Sequence, residues 1–217
     1  DSEARMVSPS LTDTRVAITH GEALVDVAQL FKDNNIQIVD SGSSTRLLKT
    51  GLYRFNADTP QVAVIDGKAS VQNGDGRLDL KKGHRVAITS GKLQAEKFNT
   101  KQKDDLYAWS NLRSEYSAEA SYATAKNIVV NNYDGWGMGY GAGWFWNPYY
   151  SSWAFVPASG YFYDPFGWGF FSPGYAYAAP LYYRGWGHRP VPVNPGRPPV
   201  VAGVHNGFRQ GVYRPSI

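Results

Sequence analysis

The sequence predicts a mainly-β fold in consecutive parts: a domain of short strands, one amphipathic helix, and an irregular or β aromatic-rich arm. Three observations predict it. Between Arg15 and Phe98 apolar residues alternate in short runs separated by turn residues, the spacing of a sandwich, barrel or β-helix. From Lys101 to Ala125 the apolar period changes to three and four, as in a helix with one buried face. Between Tyr133 and Trp186 stand 22 of the chain's 32 aromatic residues, set among glycines with only three charges, Asp134, Asp164 and Arg184. The expected parts are a β domain over 1–100, the helix over 101–126, the aromatic arm over 127–187 and a Pro-rich basic tail over 188–217.

In the first part the alternation predicts strands at 15–19, 23–27, 36–40, 45–48, 52–55, 62–65, 69–72, 77–80, 85–89 and 93–98. Each presents one apolar face, because successive side chains of an extended chain point to opposite sides. Asp66-Gly67 and Asn73-Gly74-Asp75-Gly76 supply the positive φ of tight hairpins. The first is expected to join 62–65 directly to 69–72 and the second to join 69–72 to 77–80.

In the helix, Leu106, Trp109, Leu112, Arg113, Tyr116 and Ala120 form the periodic stripe, with Asp104 and Asp105 at the front, where the helix dipole favours negative charge. The stripe predicts a brace packed on the β domain. A short β-branched run at 127–130 then reads as a strand leading into the arm.

In the arm, glycines occupy every second position from Gly135 to Gly143, with Trp136, Met138, Tyr140, Ala142 and Trp144 between them. An extended chain of this kind has one bare face and one mostly aromatic face. Two loosely similar stretches, 143–150 and 167–175, read as aromatic strand, proline turn and more aromatics. A segment this small and this aromatic cannot bury its own rings and needs something to dock on: its upstream domain, neighbouring copies or a ligand with flat apolar faces. The candidate subunit or glycan contacts are Trp136, Tyr140, Trp144, Trp146, Trp153, Phe166, Trp168, Tyr175 and Trp186. Prolines at 190, 192, 195, 198 and 199 favour extended polyproline II in the tail.

Composition narrows the function classes. The net charge is +4, and Arg189, Arg197, Arg209 and Arg214 are too spread for a nucleic-acid footprint. Without cysteine there are no disulfides or thiolate metal sites. His20, His84, His188 and His205 are far apart, with no H-x-x-x-H or H-E-x-x-H spacing. No G-x-S-x-G elbow surrounds a serine, and the glycine run lacks the lysine and following helix of a phosphate loop. The expectation is a non-enzyme with no cofactor and no metal. No run of 18 apolar residues is present, so no membrane-spanning helix is expected. The chain opens at Asp1 without methionine, which suits a mature secreted protein freed of its signal peptide, and a trimmed chain would look the same.

The order of the β runs resembles a known family. Gly21-Glu22-Ala23-Leu24-Val25-Asp26-Val27, then Ile36 to Val39 with Leu52 to Asn56, then Val62 to Val71 through Asp66-Gly67, then Leu80-Lys81-Lys82-Gly83-His84-Arg85-Val86, resembles the FecR-type domain of bacterial envelope proteins. The resemblance covers roughly residues 15–92 and rests on β-turn spacings. It implies a jelly-roll or β-helix-like unit outside the cytoplasmic membrane, of which some members relay a signal to a sigma factor.

Two readings of function come from the arm and a third from the resemblance. The first is a secreted or cell-surface structural protein that assembles into an extracellular homo-polymer through its arm and tail, since an exposed low-charge aromatic surface invites association. The second is a polysaccharide-binding surface, with Asp134, Asn147 and Asp164 as the few groups able to hold sugar hydroxyls. The third is a FecR-like sensor or interaction module of the envelope.

Overall fold

The computed structural model describes residues 2–10, 12–40, 42–88, 92–131 and 142–178. Trp136, Tyr140, Trp186 and the Pro-rich tail lie outside the described residues. The β part consists of β1 (Glu3–Ser10), β2 (Asp13–His20), β3 (Glu22–Val27), β4 (Ile36–Asp40), β5 (Ser43–Leu47), β6 (Gly51–Asn56), β7 (Gln61–Val64), β8 (Lys68–Asn73), β9 (Gly76–Lys81), β10 (His84–Ala87) and β11 (Glu96–Lys97). They form a six-stranded sheet in the order β1-β2-β4-β5-β8-β9 and a five-stranded sheet in the order β11-β10-β7-β6-β3. The fold is mainly β, as expected.

The alternation explains the core. Ile18, Ile38, Leu47, Val71 and Leu80 from one sheet meet Val27, Tyr53, Phe55, Val62, Val64 and Val86 from the other in a single buried cluster. Burying each such side chain contributes roughly 1.5–3 kcal/mol. From β4 onward successive pairs of strands land on alternate sheets, and β2 and β4 meet in parallel, Val16 opposite Ile38.

Two turn readings come out differently. Asn73 pairs with Gly76 around Gly74 at φ 54°, so that hairpin is as expected. Gly67 also takes a positive φ, 99°, but the chain there crosses from β7 in one sheet to β8 in the other instead of closing a hairpin. β7 pairs with β6 and β10. The crossover is pinned by Tyr53, whose hydroxyl donates to Lys49 O at 2.5 Å and accepts the Lys68 N–H at 3.2 Å. A Cβ on Gly67 would sit 2.3 Å from that hydroxyl, so glycine is required there for space as well as for φ. The strand expected at 93–98 shrinks to β11, and β1, largely exposed and without apolar alternation, was not anticipated.

The helix α1 spans Asp105–Asn131. Asp104 caps it, accepting the Tyr107 N–H at 3.0 Å, and also pairs with Arg54 of β6. The strand expected at 127–130 is instead the last turn of α1. Ile128 there packs on a second core, which outweighs the small helix penalty of β-branched residues. The buried face also differs from most of the expected stripe: Ala120 is buried as expected, but its buried neighbours are Ala118, Ser121, Thr124 and Ala125, whereas Trp109, Leu112 and Tyr116 are exposed.

Those small residues receive the arm, which comprises β12 (Gly143–Asn147), β13 (Ser152–Val156), β14 (Tyr161–Tyr163), β15 (Gly169–Phe171) and the short helix α2 (Pro173–Ala178). Val156, Phe171 and Ala176 close around Ala125, with Phe145, Tyr122 and Ile128 packed against them. The bulk is on the arm, so the helix face that meets it must be small. Among the described residues no helix is long and apolar enough to cross a membrane.

Candidate contact surface on the aromatic arm

β12 and β13 form a hairpin with Trp144 opposite Phe155, Phe145 opposite Ala154, and Trp146 opposite Trp153. Strand alternation divides these residues between two faces. Phe145, Asn147, Ala154 and Val156 face α1, and Trp144, Trp146, Trp153 and Phe155 face away. The inner face is bolted by hydrogen bonds as well as packing. Ser121 donates to Phe155 O at 2.5 Å. Asn147 donates to Thr124 Oγ1 at 2.9 Å and Ala120 O at 3.2 Å, while its Oδ1 accepts the N–H groups of Tyr149 and Tyr150 in the turn.

The outer face stays open. Trp144 is 67% exposed, Trp153 61% and Trp146 52%. Trp146 and Trp153 meet edge to face at 5.8 Å, as do Trp144 and Phe155 at 5.5 Å. Phe155 continues the strip to Phe162 at 6.3 Å, which stacks on Phe170 at 5.1 Å. Six rings from four strands thus form one aromatic strip.

The candidate residues separate into distinct groups. Trp144, Trp146 and Trp153 come together on the strip. Tyr175 joins Tyr161 and Tyr163 in a second cluster, 5.3 Å from Tyr161. Phe166 is buried against Tyr107, with ring centroids 5.2 Å apart, and is not offered to a partner. Trp168 is partly buried and donates its indole N–H to Asn111 Oδ1 at 3.1 Å. Phe155, Phe162 and Phe170 belong to the strip although the sequence reading passed over them. Strict alternation with Trp153 and across β14–β15 was the available signal.

Asp164 is used internally. Ser114 donates to its carboxylate, which also accepts the Trp168 N–H at 2.8 Å. Burial raises its pKa against the lowering effect of these donors. Asp26, on the edge strand β3, keeps an open face, but the protein packed around its carboxyl, with Asp164 adding its charge, pushes its pKa up to about 7. Arm, helix and sandwich therefore share one polar junction. Asn147 and Asp164, both expected as sugar ligands, are buried and committed to it or to the hairpin.

No family model matches the sequence, and no curated protein is similar to it at a significant level. Two crystal structures described as a "putative anti-sigma factor" from Parabacteroides distasonis are partly similar. One is 17% identical with a TM-score of 0.37, covering 45% of this chain and 46% of its own. The other is 16% identical with a TM-score of 0.40, covering 50% and 51%. The chain thus spans about half the length of the structures it matches.

Proposed function

We propose that the chain is a non-catalytic, FecR-like interaction module of the bacterial envelope that binds another protein through the outer aromatic strip of its arm. The observation that carries this is the division of the β12–β13 hairpin into an inner face docked on α1 and an outer face of Trp144, Trp146 and Trp153. One face of this hairpin is satisfied within the chain, so α1 holds the other face outward. Exposed tryptophans held by a rigid scaffold are the usual anchors of protein interfaces. The two-sheet sandwich agrees with what the FecR resemblance implies.

A glycan ligand is less favoured. Its rings would need open, polar-fringed faces, whereas the tryptophans meet edge to face and, of the three side chains expected to hold hydroxyls, Asn147 and Asp164 are buried and Asp134 lies outside the described residues. Self-assembly is the second reading, and one observation favours it. β12–β13 and β14–β15 are separate two-stranded sheets, whose outer edges are templates for strand addition.

The test compares the full chain with its W144S/W146S/W153S variant, both immobilised and exposed to solubilised envelope. The variant must melt like the wild type, since the three rings are mostly in water. A protein retained by the wild type and lost from the variant is expected. Retention of the same proteins by both, with the variant folded, contradicts the proposal.

A further inference from the structure

Arg54 on β6 and Arg85 on β10 are both paired with Ala63 of β7. They therefore emerge on the same face of the five-stranded sheet, with backbones about 10 Å apart at the spacing of neighbouring strands. Val62 and Val64 point the other way, into the core, and the buried Ala63 lies between the two arginines. The segment leading into α1 and this face of the sheet enclose a cleft of about 280 Å³, lined by Arg54, Ile65, Arg85, Thr100, Asp104 and Tyr107 among others.

The donors in this cleft exceed the acceptors. Each guanidinium carries five N–H groups in a planar fork. Arg54 gives one to Asp104. Arg85 is ion-paired with Glu96, at 3.6 Å, too long for a hydrogen bond. Among the described residues neither Nε finds an acceptor. Of the charged side chains lining the cleft, two are cations and one, Asp104, is an anion. The N-terminus of α1 adds partial positive charge at the same place. Asp104, held well below the usual carboxylate range first by its hydrogen bond from Arg54, shows that the cleft already seats one carboxylate, the chain's own.

We propose that this cleft is a binding site for a small organic monocarboxylate, gripped by the fork of Arg85 with Arg54 on the neighbouring side. Arg54 is ion-paired with Asp104 and Arg85 with Glu96, so what draws the ligand is the unsatisfied guanidinium N–H groups and not a net charge. A guanidinium fork matches a carboxylate bidentately. Ile65, Phe98 and Tyr107 supply apolar walls for a carbon skeleton. A phosphate dianion would bring its second charge against Asp104. This site is independent of the aromatic strip.

The test is an NMR titration of the full chain, following the arginine Nε–H resonances with phenylacetate, its neutral analogue phenylacetamide, and inorganic phosphate at constant ionic strength. Saturable shifts at Arg54 and Arg85 with phenylacetate are expected, with at least tenfold weaker binding of phenylacetamide. R85Q should weaken phenylacetate at least tenfold, and R85K should recover only part because it restores charge without the fork. If R85Q does not fold, Q102E provides the second measurement. Gln102 is exposed and lines the cleft, so the variant sets a second carboxylate there with both arginines in place and should weaken phenylacetate at least tenfold. Non-saturating shifts, equal binding of the amide, tighter binding of phosphate, or unchanged affinity in R85Q or Q102E would each overturn the proposal.

Discussion

Ser114, midway along the first half of α1, donates its hydroxyl to the carboxylate of Asp164 in the turn between β14 and β15. The same carboxylate accepts the Trp168 N–H and, second to burial, adds its charge to what raises the pKa of Asp26 on β3. One hydroxyl therefore ties arm to helix at the point where both meet the edge of the sandwich.

Removing that hydroxyl should cost stability. In Ser114→Ala the buried Asp164 keeps its backbone donors and loses its side-chain one, and a buried acceptor left short costs about 1–3 kcal/mol. Urea denaturation of the variant should show an earlier midpoint. An unchanged midpoint would mean that the junction contributes nothing.

The junction also makes stability depend on pH. Asp26 is raised from 3.8 to about 7 in the folded chain. Well below 3.8 it is protonated in both states and costs nothing. From there up to about 7 the unfolded chain ionises first, so folding stability declines as pH rises, and the full penalty is present above 7. Asp26→Asn should therefore melt higher than the wild type at pH 8, with the difference shrinking as the pH falls and vanishing only below 3.8. Because Asp26 keeps an open face, solvent screening reduces the gain to about 1 kcal/mol, or about 2–4 °C.

The orientation of α1 is testable by size. Ala125 is buried among Val156, Phe171 and Ala176, so Ala125→Leu should overpack and cost about 1–3 kcal/mol. Leu112→Ala, on the exposed side, should stay within about 0.5 kcal/mol of the wild type. Chemical denaturation of the two variants side by side decides it, and the reverse ranking would restore the stripe read from the sequence.

The crossover after β7 gives a fourth prediction. Gly67→Ala combines a positive φ with a Cβ driven into the Tyr53 hydroxyl and Thr50 O, and should destabilise by about 2 kcal/mol or more. Ala at Gly74, where φ is 54° but nothing lies within 4 Å, should cost less, about 1 kcal/mol. Thermal melts of the pair separate the steric part from the conformational one.

These cases show what was legible in the chain and what was not. The strands of the sandwich could be read because alternation is local: Val62 and Val64, or Leu78 and Leu80, announce a face by themselves. Asp66-Gly67 announced a turn but not its destination, since a positive φ serves a crossover as well as a hairpin and pairing is settled by distant strands. The helix was visible, its buried face was not. Trp109, Leu112 and Tyr116 dominate any hydrophobic pattern, while Ala118, Ser121 and Ala125 carry almost none and are buried because the arm brings the bulk. Asn147 and Asp164 looked like ligands for an outside molecule only because their partners, Thr124 and Ser114, lie 23 and 50 residues away.

The central claim is that the outer strip is a contact surface for another protein, and site-specific photo-crosslinking in intact producing cells tests it most directly. A photoreactive residue in place of Trp153 should give one discrete adduct to a different protein. That adduct should disappear when Trp144 and Trp146 are also serine, and none should form from the buried position of Phe166. Adducts only between copies of this chain, or none from position 153 in a folded protein, would contradict the claim.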